Sequence, residues 1–418
     1  MSNLDTHLKQ LLKNHWGFLD EGWPTVEQQH NHRTAVKPVE HIKLVKETLV
    51  KRLGPIPVFF FLVTLWPYAK YPGPYREVEK GLLILYHLTT GVAMDGISPH
   101  MPKSSFHALY SQFYKTHFRS TMKQVNDMMA KMFSTFPIRV LCAKEKNPEL
   151  FRHVTLHIDG HDTRLTCEEK SSSEMYSYKL KKSGVRTQVC IDPNGMAILV
   201  SKSLPCKDNG DGTMLVGMKI HRHIHELDCI AIDGGYTQYI GKIVAETDMS
   251  KRNFCYPIRR SRGKSLAEDE ANYNKTFGSF RSQMEAEFGE LGTVFEMHNN
   301  RKPVRVNKIE TYNLQLRLCL LLMNVKRMVA IFGIKDEPIH RAWITENFDY
   351  PSNNGVMEQI MECPPVAEML ADAESLSKLQ DDFMNMEIME VDDEEEEQLT
   401  RKRVRVVGVD IPSMKRIK

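Results

Sequence analysis

Residues 154–160 read Val-Thr-Leu-His-Ile-Asp-Gly, an apolar run that ends in a carboxylate at Asp159. A second run, residues 227–236, reads Leu-Asp-Cys-Ile-Ala-Ile-Asp-Gly-Gly-Tyr and contains Asp233 in the same setting. Both runs predict strands, although Asp is depleted in strands and an unpaired buried carboxylate is costly. A divalent cation removes that cost, because hard cations take oxygen ligands. The two runs therefore predict a metal site where two strands end.

A third acidic residue, Glu285, lies in a helical pattern that starts near residue 268. The helix carries one apolar stripe, and Glu285 is beside that stripe, so that it can face the edge of the sheet. Two cations held by three such carboxylates would clamp the attacking and leaving oxygens of a phosphodiester. The three acids together predict metal-dependent phosphoryl transfer on nucleic acid.

The order of the predicted elements favours an α/β domain. A meander of three strands is followed by a strand, a helix near 236–248, a further strand and the Glu285 helix, which is the order of an RNase H-like domain with a mixed five-stranded sheet flanked by helices. Asp159 would lie on the central first strand and Asp233 at the end of the neighbouring fourth strand. The predicted strands are residues 154–159, 185–191, 196–204, 228–233 and 254–258.

Each acid also has a simpler interpretation. Asp-Gly is a common turn pair, which could account for Asp159 and Asp233. Glu285 could be an exposed helix residue paired with Arg281 at i, i+4. Other acids lie close by in the sequence and could replace a member of the set: Asp162, Asp228 and Glu287.

A family resemblance decides between these interpretations. The predicted helix around Glu285 resembles the third block of PIF/Harbinger-type DDE transposases. The matching residues are Glu270 to Asn274, Arg281, and Glu285 to Gly289. Residues 158–160 resemble the first block of that family and residues 233–236 the second, in the right order and over roughly residues 80–330. The acids are separated by 74 and 52 positions, as suits the family. The resemblance implies that Asp159, Asp233 and Glu285 are the catalytic residues and the ligands of two Mg²⁺ or Mn²⁺ ions.

The resemblance also implies a function and partners. It predicts a nuclear endonuclease that cuts DNA at terminal inverted repeats and joins strands, acts as a dimer or larger assembly, and works with a separate Myb-like protein. Two alternatives stay open: a domesticated, transposase-derived DNA-binding or regulatory protein without catalysis, and an RNase H-like nuclease on RNA or branched DNA. Asp211 falls where the family often has another acid, but the Pro-Cys-Lys turn at 205–207 departs from the family's Pro-Gly, which leaves its role open.

Histidines occur in two sets with even spacing, one at 153, 157 and 161 and the other at 221, 223 and 225. On strands, each set would share one face and could bind zinc or iron. Histidines are also ordinary phosphate contacts and surface residues, and His157 and His161 could line the mouth of the active site.

Basic residues lie where DNA would pass the proposed site. Such clusters neutralise phosphates and make binding depend on salt, whereas the alternative is a solvated basic loop. The candidates follow the fifth strand, precede the second strand, or begin a helix in the region before the sheet: Arg259, Arg260, Arg262 and Lys264; Lys179, Lys181 and Lys182; and Lys103.

The sequence divides into five predicted segments. The region before the sheet has the outline of a helix-turn-helix, with a helix that ends at Gly91 and another capped by Ser104, although a helical scaffold gives the same pattern. The segments are an irregular and helical region (1–75), a helical region with the helix-turn-helix outline (76–148), the RNase H-like nuclease domain (149–335), an extension (336–366) and an acidic then basic disordered tail (367–418).

Charge is divided unevenly along the 418 residues, although the net charge is only +3. Residues 368–397 carry thirteen acidic residues against Lys378 alone, which leaves a basic body facing an acidic tail. Such a tail can compete with DNA for the basic surface, or it can be a plain solvating segment. A nuclear import signal is predicted at Arg401, Lys402, Arg403 and Arg405.

The eight cysteines contain no C-x-x-C pair, so that neither a zinc site nor a disulfide framework is predicted and a reducing compartment fits. No signal peptide is predicted at the start of the sequence. The apolar run at 56–66 is too short to span a bilayer, and no membrane association is expected.

Overall fold

In this computed structural model, the described residues are 37–66, 71–132, 135–260 and 265–334. The nuclear import signal, the acidic and basic tails, Arg262, Lys264 and the first 36 residues lie outside them. Within the described residues, ten α-helices and eight strands follow one another. The helices are α1 (Ile42–Leu53), α2 (Pro55–Phe60), α3 (Glu77–Thr90), α4 (Lys103–Thr116), α5 (Phe118–Met132), α6 (Phe136–Lys146), α7 (Asp211–Met218), α8 (Thr237–Glu246), α9 (Glu268–Val294) and α10 (Ile309–Phe332). The strands are β1 (Leu156–Cys167), β2 (Tyr176–Ser177), β3 (Lys182–Ile191), β4 (Ala197–Val200), β5 (Leu204–Pro205), β6 (Ile230–Ala231), β7 (Phe254–Cys255) and β8 (Val304–Val306).

The strands form one mixed sheet, so that the prediction of an α/β class with a mixed sheet is confirmed. β1 is central, with β3 antiparallel on one side and β6 parallel on the other, and β7 pairs in parallel with β6. β4 and β5 pair with β3, and β8 pairs with the far end of β1. All five predicted strands are present, and the three short strands β2, β5 and β8 add to them.

Helices cover both faces of β1. Alternate residues of a strand point to opposite faces, and the odd-numbered residues of β1 contact α9 and α10: His157 lies against Phe280, and Thr163 accepts a hydrogen bond from Tyr312. On the opposite face, α7 approaches so closely that a Cβ at Gly160 would be 2.1 Å from Oδ1 of Asp211. The central strand β1 is therefore covered on both faces, and most of its residues are buried.

The helices before the sheet share its hydrophobic core. Apolar side chains of α1 to α6 join those of the sheet and of α10 in one continuous buried cluster. The predicted apolar run at 56–66 is part of it, as α2 and a π-helical turn at Phe61–Leu65. No helix within the described ranges is long and apolar enough to cross a membrane.

The region with the helix-turn-helix outline consists of α3, a 3₁₀ turn at Met94–Ile97 and α4. Gly91 ends α3 in the left-handed conformation, as predicted, because glycine has no Cβ penalty there. The predicted cap at Ser104 is wrong: α4 begins at Lys103, directly after Pro102, without a side-chain cap. Whether this region reads DNA stays a prediction.

Candidate active site

Asp159 lies inside a strand rather than at its end. The prediction that the strand stops at 159 is wrong, because β1 continues to Cys167. Gly160 does not break the strand; it pairs with Gln188 of β3, and its missing side chain makes room for Asp211. The Asp-Gly pair therefore marks a close approach of α7 to the strand and not a turn.

Asp233 follows β6 and lies level with Asp159. In the parallel register, His157 is opposite Ala231. Two residues further along each segment, Asp159 therefore lies next to Asp233. Each aspartate accepts a hydrogen bond from the amide of the glycine after it, at 2.8 Å for Asp159 and 2.6 Å for Asp233. These contacts fix the orientation of both carboxylates.

Arg281 of α9 bridges the two aspartates. Its Nη2 donates to Oδ2 of Asp159 at 2.5 Å, and its Nη1 is 3.4 Å from Oδ1 of Asp233. The side chains of Arg281 and Asp159 are only 16% and 17% exposed. Burial raises the pKa of the Asp159 carboxyl, and the positive charge of Arg281 offsets part of that effect. The sequence placed Arg281 in the third family block but did not predict this contact.

Glu285 lies one turn further along α9 than Arg281 and is exposed. The alternative interpretation, in which Glu285 pairs with Arg281, does not describe the structure, because Arg281 turns to the aspartates instead. Met284 and Phe280 fill the buried face of the helix, which leaves Glu285 at its border with solvent. The role of Glu285 stays a prediction.

The nearby acids have other partners. Asp162 accepts from Arg186 and from Ser177, and Asp228 pairs with the buried Arg139. Glu287 forms an ion pair with Arg327 of α10. Burial raises the pKa of Asp162, but the hydrogen bonds from Arg186 and Ser177 outweigh it and hold this pKa below its usual value. Each of these three acids thus pairs with an arginine other than Arg281, which Asp159 and Asp233 share.

A polar network lies behind Asp159, on the opposite face of β1. Tyr236 donates to Oε1 of Gln188 at 2.5 Å, and Nε2 of Gln188 donates to Asp211 at 3.0 Å. Asp211 is also 3.3 Å from Nε of Arg186. Asp211 is thus next to the site but on the other side of the strand from the Asp159 carboxylate. Gln188 had no sequence signal, whereas Tyr236 was part of the second family block.

The histidines do not gather into a metal cluster. His157 and His161 do share one face of β1, but they are buried against Phe280 and Phe288. Burial lowers the pKa of both to about 4. Residues 221–225 do not form a strand: a 3₁₀ turn at Ile220–Arg222 occupies this position, and His225 stacks on Phe136. Within residues 37–66, 71–132, 135–260 and 265–334, no three His, Cys, Asp or Glu side chains come together as a metal site.

One of the predicted DNA contacts, Arg259, is anchored beside Asp233. The amide side chain of Asn274 both donates to the carbonyl and accepts from the amide of Ile258, at 2.8 Å each, and so fixes the segment before Arg259. The Arg259 guanidinium donates to the carbonyl of Gly234. Arg260 is exposed next to it. Asn274 belongs to the third family block, and the structure gives its contact.

The other predicted DNA contacts are spread over the surface. Lys179, Lys181 and Lys182 are exposed around the turn between β2 and β3. Lys103 forms an exposed ion pair with Asp95 at the start of α4. The positions of these lysines do not show whether they bind DNA, so that this role stays a prediction.

The chemistry of the site suits a cation. Asp159 and Asp233 converge on one guanidinium, so that the protein already places a positive charge between two oxygen-donor side chains. Hard divalent cations take such carboxylate oxygens as ligands. The pair of aspartates therefore fits a divalent cation in charge and in donor type.

Comparison with known proteins gives two further findings. Among solved structures, the piggyBac transposase in its synaptic complex with hairpin DNA, determined by cryo-EM, is similar to this chain with a TM-score of 0.33 and 10% identity, over 99% of this chain and 85% of that one. No curated protein matches the sequence. Residues 158–324 match the family model described as DDE superfamily endonuclease, a range that begins just before Asp159 and extends beyond Glu285. This part of the chain is therefore similar to the DDE superfamily endonucleases.

Proposed function

We propose that this protein is a transposase-like DNA endonuclease of the PIF/Harbinger kind, built on an RNase H-like domain, with Asp159, Asp233 and Glu285 as its catalytic residues. One observation carries the proposal: two carboxylates from parallel neighbouring strands lie level with each other and share one cationic partner. The match of residues 158–324 to the endonuclease family supports it. The order β4-β3-β1-β6-β7, with only β3 antiparallel to the central β1, is the strand order expected of an RNase H-like sheet.

Asp159 and Asp233 would hold Mg²⁺ or Mn²⁺, two ions per site, together with Glu285. Such ions, when bound, would lower the pKa of an attacking water and stabilise the leaving 3′ oxygen of a phosphodiester. The amides of Gly160 and Gly234 keep the two carboxylates oriented toward the same space. Because the site needs no covalent intermediate on the protein, the 3′ hydroxyl freed by the first cut can attack target DNA in the same site.

The Arg281 guanidinium has a second role in this proposal. It neutralises two aspartates that would otherwise repel each other across neighbouring strands, at a place where burial already disfavours the charged form of Asp159. The guanidinium is also suited to a phosphate, whose oxygens it can bind in the same forked geometry. Arg281 would thus hold the site together before DNA arrives and contact the scissile phosphate afterwards.

The proposed partners follow from the resemblance to PIF/Harbinger transposases. They are the two ends of a DNA element, a target DNA, a second copy of this chain and a Myb-like protein. The proposed compartment is the nucleus. Arg259, Arg260 and the basic turn after β2 would contact the DNA backbone near the cut.

A cleavage assay with matched DNA, RNA and DNA–RNA hybrid substrates, with Mg²⁺ or Mn²⁺, tests this function. We expect cuts in DNA by the parent protein and none by Asp159→Asn. Cleavage of RNA or hybrid alone would instead establish the RNase H-like nuclease. DNA binding without any cleavage, with the same result for parent and variant, would establish a domesticated DNA-binding protein.

A further inference from the structure

A short hairpin next to the candidate site exposes a tyrosine among lysines. β2 and β3 pair through Tyr176 with Ser183 and through Ser177 with Lys182, and a turn at 178–181 joins them. Lys181 at this turn has a positive φ of 54°, which makes the turn tight. Residues 176–183 are called the Tyr178 hairpin below.

The tip of this hairpin has the composition of a nucleic-acid contact. Tyr178 is 67% exposed, more than any other large hydrophobic side chain in the described part of the chain. The ring of Tyr176 meets it edge to face at 5.3 Å, which holds one side of the Tyr178 ring and leaves the rest accessible. Lys179, Lys181 and Lys182 follow, and all three are exposed. An aromatic ring offers a stacking surface for a base, and the lysines offer charge for its phosphates.

The hairpin is fixed to the strand that carries Asp159. Ser177 donates to Oδ2 of Asp162 at 2.6 Å and accepts from the amide of Leu180 at 3.0 Å. Asp162 is three residues along β1 from Asp159 and is itself held by Arg186. The tip is therefore a rigid projection whose distance from the site is set by a buried polar contact.

The chain also connects the hairpin tip to the site. Lys179 lies two residues after Ser177, whose hydroxyl donates to Asp162 on β1. A DNA strand bound at Lys179 would therefore lie near the strand that carries Asp159.

We propose that the Tyr178 hairpin holds a single-stranded segment of DNA beside the scissile phosphate, with an unpaired base stacked on Tyr178 and the neighbouring phosphates on Lys179, Lys181 and Lys182. In duplex DNA the faces of the bases are covered by their neighbours, so that a protruding tyrosine gains a partner only where a base is unpaired. This inference rests on the proposed function for the identity of the nucleic acid, but the stacking contact needs no catalysis.

Binding without cleavage tests the inference. The full chain in EDTA is titrated with a single-stranded oligonucleotide that contains 2-aminopurine and with the matching blunt duplex. We expect Tyr178→Ala to weaken single-strand binding about tenfold and to abolish the change in 2-aminopurine fluorescence, with duplex binding unchanged. Tyr178→Phe should bind like the parent, because the ring is kept.

Two further variants separate stacking from charge and from general damage. Leu150→Ala removes another exposed apolar side chain, 53% exposed, and should change neither affinity. Replacing Lys179, Lys181 and Lys182 by Ala should weaken binding to both DNAs. The inference is overturned if Tyr178→Ala affects both DNAs equally or neither of them, or if the parent binds no single strand. A protein that cleaves nothing but shows the Tyr178-dependent fluorescence change would sink the proposed function and keep the hairpin as a DNA contact.

Discussion

Arg281 donates to the carboxylate of Asp159 at 2.5 Å, although 122 positions separate the two residues in the sequence. The same guanidinium reaches Asp233 at 3.4 Å. This contact connects α9 to the two central strands of the sheet, and it places a cation where the proposed metal ions would bind. It also means that metal binding and Arg281 act on the same two carboxylates.

Removing the charge of Arg281 should make stability depend on metal. We expect Arg281→Gln to destabilise the metal-free protein by about 1–3 kcal/mol, because two neighbouring carboxylates lose their shared partner. Mg²⁺ or Mn²⁺ should restore more stability to this variant than to the parent. Thermal unfolding with and without metal measures both effects. Arg281→Lys keeps the charge and is the control; an equal metal response in all three proteins would separate Arg281 from the metal site.

The three acids should fail together in catalysis. Asp159→Asn, Asp233→Asn and Glu285→Gln each remove a ligand charge at constant volume, so that each should abolish metal-dependent strand cleavage and leave DNA binding nearly intact. Glu246→Gln, on the exposed face of α8, is the matched control and should cleave normally. Gel assays of cleavage and binding measure the result. Near-normal cleavage by Glu285→Gln would remove Glu285 from the site, a sharp test because its side chain is exposed.

The loop after β7 should contribute affinity rather than chemistry. Replacing Arg259, Arg260, Arg262 and Lys264 by Ala should weaken DNA binding similarly for different sequences. It should also flatten the slope of log K against log salt by about 0.9 for each lost phosphate contact. Fluorescence anisotropy over a salt series measures the slope. An unchanged slope would mean that the loop faces solvent in the complex.

Four buried histidines should make the fold sensitive to acid. Burial lowers the pKa of His87, His157 and His161 to about 4 and that of His298 to about 3, below the unfolded value of about 6.5. Between pH 6.5 and 4 the unfolded chain binds more protons, so that stability falls as pH falls, by about 1.4 kcal/mol per pH unit for each histidine. Chemical denaturation from pH 7 to 5 measures this slope. His298→Leu should reduce this slope by the contribution of about one proton. A curve of stability against pH that runs parallel to that of the parent would contradict the prediction.

The acidic segment should inhibit binding of DNA by its own chain. Residues 368–397 are strongly acidic and are tethered to a basic body, which gives them a high effective concentration. Changing Asp392, Asp393 and Glu394 through Glu397 to Asn and Gln keeps the basic end and should raise non-specific DNA affinity, most clearly at low salt, where screening is weak. Equal affinity of variant and parent at low salt would leave a solvating tail.

The sequence by itself determined the two Asp-Gly runs, the aromatic stripe of α9 and the order of the elements, because alternating and helical periodicities are local properties. It placed the strands that carry Asp159 and Asp233, and the family blocks singled out the same residues. It could not show that β1 continues past Gly160, since the continuation depends on pairing with the distant strand β3, as far as Arg164 with Gly184.

Only the tertiary structure decided which acids pair with arginines other than Arg281. Asp162, Asp228 and Glu287 differ little in sequence context from Asp159, Asp233 and Glu285, but they pair with Arg186, Arg139 and Arg327, which come from other elements. The contact of Arg281 with Asp159 likewise depends on the packing of α9 against the sheet. A carboxylate acquires its role from the charge that faces it, and long-range packing sets that charge.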